Sequence, residues 1–279
     1  MKKIIAAFDG LKYSHSTRDY ALQLAKITNS FLTGIFLDDF SYTSFKVYEL
    51  ETAEKIPRSN FQELKEKDSQ TRLKASRNFE EQCSKEGIQY NVHHDKSAAL
   101  SELLHEAIYA DLLVVDARET LTHYSEAIPT RFIQDLLVES AGPVLVVPGP
   151  YQAIEKIILL YDGTPSSVFA IKMFSCLLPE LCNLPAEILS VKGMHTNLHL
   201  PDNRLMKELI RRHFPKSVFT VLKGVAEKAV IEHLKIQREN VLVVTGAYGR
   251  GGLSRFFRNS MADHLMRSLK VPLFIAHQR

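Results

Sequence analysis

The chain repeats itself, and a repeat of this length leaves few folds open. The octapeptide Lys3-Ile-Ile-Ala-Ala-Phe-Asp-Gly10 recurs 153 residues later as Lys156-Ile-Ile-Leu-Leu-Tyr-Asp-Gly163. Two later segments recur at an offset of 129. Asp111-Leu-Leu-Val-Val-Asp116 returns as Asn240-Val-Leu-Val-Val-Thr245, and Pro143-Val-Leu-Val-Val147 returns as Pro272-Leu-Phe-Ile-Ala276. The two offsets differ because the first copy carries extra residues in the 40–86 region. There a charged run, Gln62-Glu-Leu-Lys-Glu-Lys-Asp68, lengthens one helix and reads as its solvated face. Self-similarity at this period means two copies of one domain, expected over residues 1–148 and 154–279.

Within each copy, short continuous apolar runs alternate with helical patterns. The runs Ile4–Phe8, Phe31–Leu37, Gln89–His93, Leu112–Val115 and Val144–Val147 read as strands. So do Ile157–Tyr161, Glu187–Val191, Val218–Leu222, Val241–Val244 and Leu273–Ala276. Helices are expected near 16–28, 59–86, 97–109 and 128–139 in the first copy, and near 167–177, 201–213, 226–238 and 260–268 in the second. Apolar strands without polar alternation are buried on both faces. The pattern therefore predicts an α/β fold of two tandem, doubly wound, five-stranded parallel sheets with helices on both faces. The Pro148-Gly-Pro-Tyr-Gln152 linker is short, so the copies are expected to pack, with the two fifth strands pairing.

Composition narrows the function classes. With 45% hydrophobic and 24% charged residues, the 279-residue chain reads as soluble and globular. A net charge of +3 gives no case for nucleic-acid binding. The apolar run after Lys2-Lys3 ends at Asp9, too short for a signal peptide, and no segment approaches the ~18 apolar residues of a membrane span. Three cysteines without metal or redox spacing fit a reducing cytoplasm, with Cys176 and Cys182 expected as buried packing residues. His93-His94-Asp95 reads as an exposed strand end and not a metal site, since neighbouring strand residues face opposite sides. His195 and His199 read as loop residues.

The chemistry concentrates after Val241–Val244. From Thr245 the chain enters Gly246-Ala-Tyr-Gly249, continues through Arg250, Gly251 and Gly252, and reaches Asn259-Ser260-Met261 at the start of a helix. Bare glycine amides beside a helix N-terminus suit phosphate. From Gly246 to Ala262 the only charged residues are Arg250, Arg255 and Arg258, which favours an anion.

A strand ending Asp-Gly, and a fourth strand followed by Gly-x-x-Gly, nine residues, a small residue and Ser, resemble the universal stress protein family. Two consecutive domains are a known form of it. The resemblance implies ATP, with or without Mg²⁺, in the C-terminal domain. It places Asp162 and Gly163 near the adenine or ribose and Val191 along the adenine. Thr245, Gly246, Gly249, Arg250, Asn259, Ser260 and Met261 fall around the phosphates. The family's ATP-binding members carry glycine where this chain has Asn259. Asn tolerates left-handed backbone angles and caps helices well. In the first copy the matching positions are Ala117, Thr120, Thr130 and Arg131, and Glu119 and Glu126 would repel phosphate. An occupied second domain and a degenerate first one are expected.

Two functions follow. One is an ATP-binding regulatory protein in a stress response, coupling nucleotide to an unknown protein partner as an intramolecular pseudo-dimer or a homodimer. The other is a nucleotide-free tandem scaffold. No Lys follows the glycines as in a P-loop, so hydrolysis is expected to be slow at most. The His-x-Gly-His and Ser-Gly-Gly-x-Asp-Ser signatures of related adenylyl-transferring enzymes do not occur.

Overall fold

A computed structural model of the chain describes residues 1–37, 58–95, 99–122, 124–194, 199–246 and 260–277. The chain divides into two compact units, Lys2–Glu139 and Ser140–Arg279.

The first unit runs β1 (Lys3–Asp9), α1 (His15–Thr28), β2 (Phe31–Leu37), α2 (Arg58–Lys85), β3 (Tyr90–Asp95), α3 (Ala99–Ala107), β4 (Leu112–Asp116) and α4 (Arg131–Glu139). Its strands lie in the order β3-β2-β1-β4, all parallel. Six of the seven β1 residues are buried, because helices cover both faces of the sheet. Ser14 caps α1 by accepting the Thr17 amide, and Asn29, in the left-handed region at φ 47°, ends it. Phe8 stacks on Phe36 with centroids 5.1 Å apart, and Phe79 of α2 meets Phe8 edge-on at 5.4 Å. Burial of each such ring stabilises the unit by about 1.5–3 kcal/mol.

The second unit runs β5 (Val144–Val147), β6 (Lys156–Leu160), α5 (Pro165–Leu177), a 3₁₀ turn (Leu181–Asn183), β7 (Ala186–Lys192), α6 (Asn203–His213), β8 (Ser217–Lys223), α7 (Ala226–Lys235), β9 (Val241–Thr245), α8 (Met261–Ser268) and β10 (Leu273–Ile275). The strand order is β5-β10-β9-β6-β7-β8. All neighbours are parallel except β5 and β10, which run antiparallel with Leu273 opposite Val146 and Phe274 opposite Leu145. The last strand of the first repeat thus covers the edge that β10 would otherwise leave bare. Phe274 is fully buried and meets Phe174 of α5 edge-on at 5.2 Å. At the opposite end of this sheet, Glu187 joins Lys156 and His233, each at 2.8 Å.

Every strand and helix expected from the sequence is present. The 3₁₀ turn was not anticipated. Cys182 and Cys83 are buried, but Cys176 is exposed on the last turn of α5 and is no packing residue. His93 is half-buried and not exposed, binding Glu106 of α3 at 2.6 Å, whereas His94 is exposed as expected and stacks on Phe36 at 5.6 Å. His195 lies outside the described residues. Among the described residues, no cluster of His, Cys, Asp and Glu could hold a metal ion, and no helix is long and apolar enough to cross a membrane.

Candidate functional site

In the second unit the chain leaves β6 in one direction toward β7 and returns on its other side as β9. The crevice at the C-terminal ends of these strands is where open α/β sheets bind ligands. A cavity of about 170 Å³ lies there. Its apolar wall is built by Leu160, Leu189 and Val191 from the strands, by Ala226 and Val230 from one face of α7, and by Met261 from the start of α8. Its polar side is Asp162, Thr164, Ser167, Thr245 and Gly246. Whole ligand pockets usually measure about 300–1,000 Å³, so this cavity is large enough for only part of a ligand of that size.

The polar side is set by the turn from β6 into α5. Asp162 Oδ1 accepts the Thr164 amide at 2.9 Å and the Thr164 hydroxyl at 2.7 Å. Thr164 in turn caps α5, and Pro165 follows it at the first helical position. Gly163 sits at φ 88°, and a Cβ there would stand 2.6 Å from Pro201 Cβ, so only glycine fits. Burial pushes the Asp162 carboxyl up, but hydrogen bonds from Thr164 and Ser167 outweigh it and hold the group below the usual carboxylate range. Asp162 is therefore both a turn residue and an exposed, ionised carboxylate on the cavity rim.

Gly246 has a role the sequence did not suggest. A Cβ there would lie 2.7 Å from the carbonyl carbon and oxygen of Ser166 and from the Ser167 nitrogen. The glycine is needed for β9 to approach α5. A valine at this position would collide with the same backbone and disturb the packing of the fold. Ser260 caps α8 in a reciprocal box: its Oγ accepts the Asp263 amide at 3.1 Å, and Asp263 Oδ2 accepts the Ser260 amide at 3.0 Å. The Ser260 hydroxyl keeps its hydrogen to donate. Asp263, one residue beyond the stretch that held only arginines, was legible as the Ser-x-x-Asp pattern.

Of the ten residues expected at the site, Asp162, Val191, Thr245, Gly246 and Met261 line the one cavity. Gly163 forms the turn beside it, and Ser260 precedes Met261 at the helix cap. Gly249, Arg250 and Asn259 lie outside the described residues. The α7 wall was missed, although Ala226 and Val230 share a helix face at i, i+4 spacing.

The same place in the first unit is built differently. Asp9, the repeat partner of Asp162, makes the same kind of turn, accepting the Leu11 amide at 2.7 Å, yet is completely buried. Asp116 at the end of β4 accepts the Ser14 hydroxyl and an Arg118 guanidinium nitrogen, each at 2.7 Å. Burial pushes Asp116 up, but those bonds more than offset it, and the carboxyl lies below its ordinary range. Glu119, expected to face and repel a phosphate, instead turns inward and is 6% exposed.

No family model matches the sequence, and no curated protein matches it either. Solved structures do. A universal stress protein from Archaeoglobus fulgidus DSM 4304 superposes with a TM-score of 0.68 at 14% identity, over 99% of this chain and 98% of that one. A functionally unknown protein from Pseudomonas aeruginosa PAO1 gives 0.62 at 12% identity, over 100% of this chain and 93% of its own. The α/β architecture read from the sequence, with mostly parallel sheets, is the fold of the universal stress proteins.

Proposed function

We propose that the chain is an ATP-binding regulatory protein of the universal stress type, which holds its nucleotide in the second unit and couples occupancy to a protein partner. The observation that carries this reading is the convergence of Asp162, Val191, Thr245, Gly246 and Met261 on one cavity at a strand-order switch point.

The residues present fit the ligand. The slot walled by Leu189, Val191 and Val230 suits a flat, weakly polar base. The ionised Asp162 can accept a hydrogen bond from a sugar hydroxyl. The Ser260 hydroxyl and the first amides of α8 are donors for a negatively charged tail lying outside the slot. When bound, the nucleotide supplies charge and shape for a partner to read. Asp162 is the one carboxylate among the described lining residues and is already engaged by Thr164, so turnover is slow at most.

Equilibrium binding of labelled ATP to nucleotide-stripped protein tests this. Saturable binding at or below millimolar ATP supports it. Absence of binding favours the tandem scaffold, for which the docking element is the Gln62–Lys74 half of α2, where no residue is buried.

A further inference from the structure

β8 is the last strand of the second unit's sheet, and among the described residues it pairs with β7 alone. Its seven residues pair in unbroken parallel register, so no bulge turns the strand aside. The Ala186 amide donates to the Lys216 carbonyl, and the Gly224 amide to the Lys192 carbonyl, each at 2.9 Å. In a parallel ladder these two bonds fix which main-chain groups face inward. Val218, Thr220 and Leu222 bond to β7, while Ser217, Phe219, Val221 and Lys223 turn their amides and carbonyls to the open edge. Such an edge is a template for another strand unless charge, proline or a bulge blunts it. From Ser217 to Leu222 there is no charged residue and no proline. Val218 is 57% exposed, and the other five are half-buried. β3, the edge strand at the same place in the first unit, carries Asn91, His93, His94 and Asp95 instead.

Positive charge frames this uncharged stretch. Lys216 and Lys223 close its two ends. On α6, Arg204, Lys207 and Arg211 recur at i, i+3 and i+7 and so share one face. Lys207 Nζ stands 5.9 Å from the centre of the Phe219 ring, which brings that face over β8. From Arg204 to Lys223 there are six Lys and Arg and one carboxylate, Glu208, whereas the whole chain is nearly balanced at 35 against 32. Among the described residues, none of Lys207, Arg211, Lys216 and Lys223 forms an ion pair. A second copy of the chain does not fit this edge, because pairing two β8 strands in either direction brings their lysine ends together.

We infer that the β8 edge is the docking site for an acidic segment of a partner protein, which adds to the sheet as an extra strand. Its main chain bonds to Ser217, Phe219 and Val221, and its carboxylates lie against Lys207, Arg211, Lys216 and Lys223. The main-chain bonds supply affinity, and the basic frame selects the partner and rejects cationic segments. Docking here does not depend on a nucleotide in the cavity.

The test is fluorescence anisotropy of the full chain with a fluorescein-labelled peptide, Glu-Asp-Glu-Val-Thr-Val-Thr-Val-Glu-Asp-Glu, and with a twin in which lysine replaces every acid. The acidic peptide is expected to bind saturably, roughly tenfold or more tighter than the lysine one. Val221→Pro removes an outward amide and leaves the β7 bonds in place. It should weaken the acidic peptide by roughly tenfold, with the far-ultraviolet circular dichroism unchanged. Lys216→Glu combined with Lys223→Glu should invert the preference between the peptides. Misfolding cannot produce that inversion, so the double variant decides alone should Val221→Pro unfold. No saturable binding at millimolar peptide, equal affinity for the two peptides, or binding untouched by a folded Val221→Pro would overturn the docking site. A concentration-dependent dimer of the chain that is lost in Val221→Pro would give the edge to a second copy and overturn it as well.

Discussion

Gly246 and Ser166 touch through bare backbone: a Cβ on Gly246 would lie 2.7 Å from the Ser166 carbonyl carbon and oxygen. This contact seats the end of β9 against the first turn of α5 and so shapes one side of the cavity. Backbone cannot swing away as a flexible side chain can. Gly246→Ala should therefore destabilise the protein by about 1–3 kcal/mol, seen as an earlier denaturant midpoint. An unchanged midpoint would mean that the two segments separate easily.

Asp162→Asn separates charge from geometry. Asparagine keeps an oxygen for the Thr164 amide, so the turn and melting temperature should be preserved. The charge-assisted bond to a sugar hydroxyl is lost, and ATP affinity should drop roughly five- to tenfold, since charged hydrogen bonds exceed neutral ones by about 1 kcal/mol. Isothermal titration of the variant against wild type measures this.

Ser260→Ala removes both the helix cap and a donor. Loss of the cap costs about 0.5–2 kcal/mol, because the Asp263 amide then lacks its partner. ATP binding should weaken by more than this stability loss explains. Ser260→Thr, which keeps the hydroxyl, should restore both.

In the first unit, Asp116→Ala should destabilise at neutral pH by about 1–3 kcal/mol, since it strands the buried Ser14 hydroxyl that ties β4 to the start of α1. The folded carboxyl lies below its unfolded value. Its contribution is therefore present above the ordinary aspartate range and lost as pH falls through the folded value. Denaturant midpoints of the two proteins should converge at acid pH, once the folded carboxyl is protonated.

Much of this architecture was legible because strands buried on both faces write themselves as unbroken apolar runs, such as Val144–Val147 and Val241–Val244. The recurrence of Asp9 at Asp162 marked equivalent strand ends. What separates those two aspartates was not legible. One is fully buried beside Glu119 and the other rims a cavity, and that difference depends on which way a loop glutamate turns. Glu119 read as a loop charge that would repel a phosphate, because exposure is the usual fate of a loop carboxylate. Only the amides of Thr120 and Leu121, converging on it through a left-handed leucine, make the inward course favourable. Gly246 was similarly half-read. Its smallness was evident, but the Ser166 backbone it admits lies 80 residues away in sequence.

Binding stoichiometry tests the central claim most directly: labelled ATP titrated into nucleotide-stripped wild type, Val191→Phe and Glu119→Gln. Val191 is half-buried on the cavity wall, where an aromatic suits the strand but fills the slot. The account predicts one saturable site per chain, weakened at least tenfold in Val191→Phe and unchanged in Glu119→Gln. A site that survives Val191→Phe, or the absence of any saturable site at millimolar ATP, would contradict it.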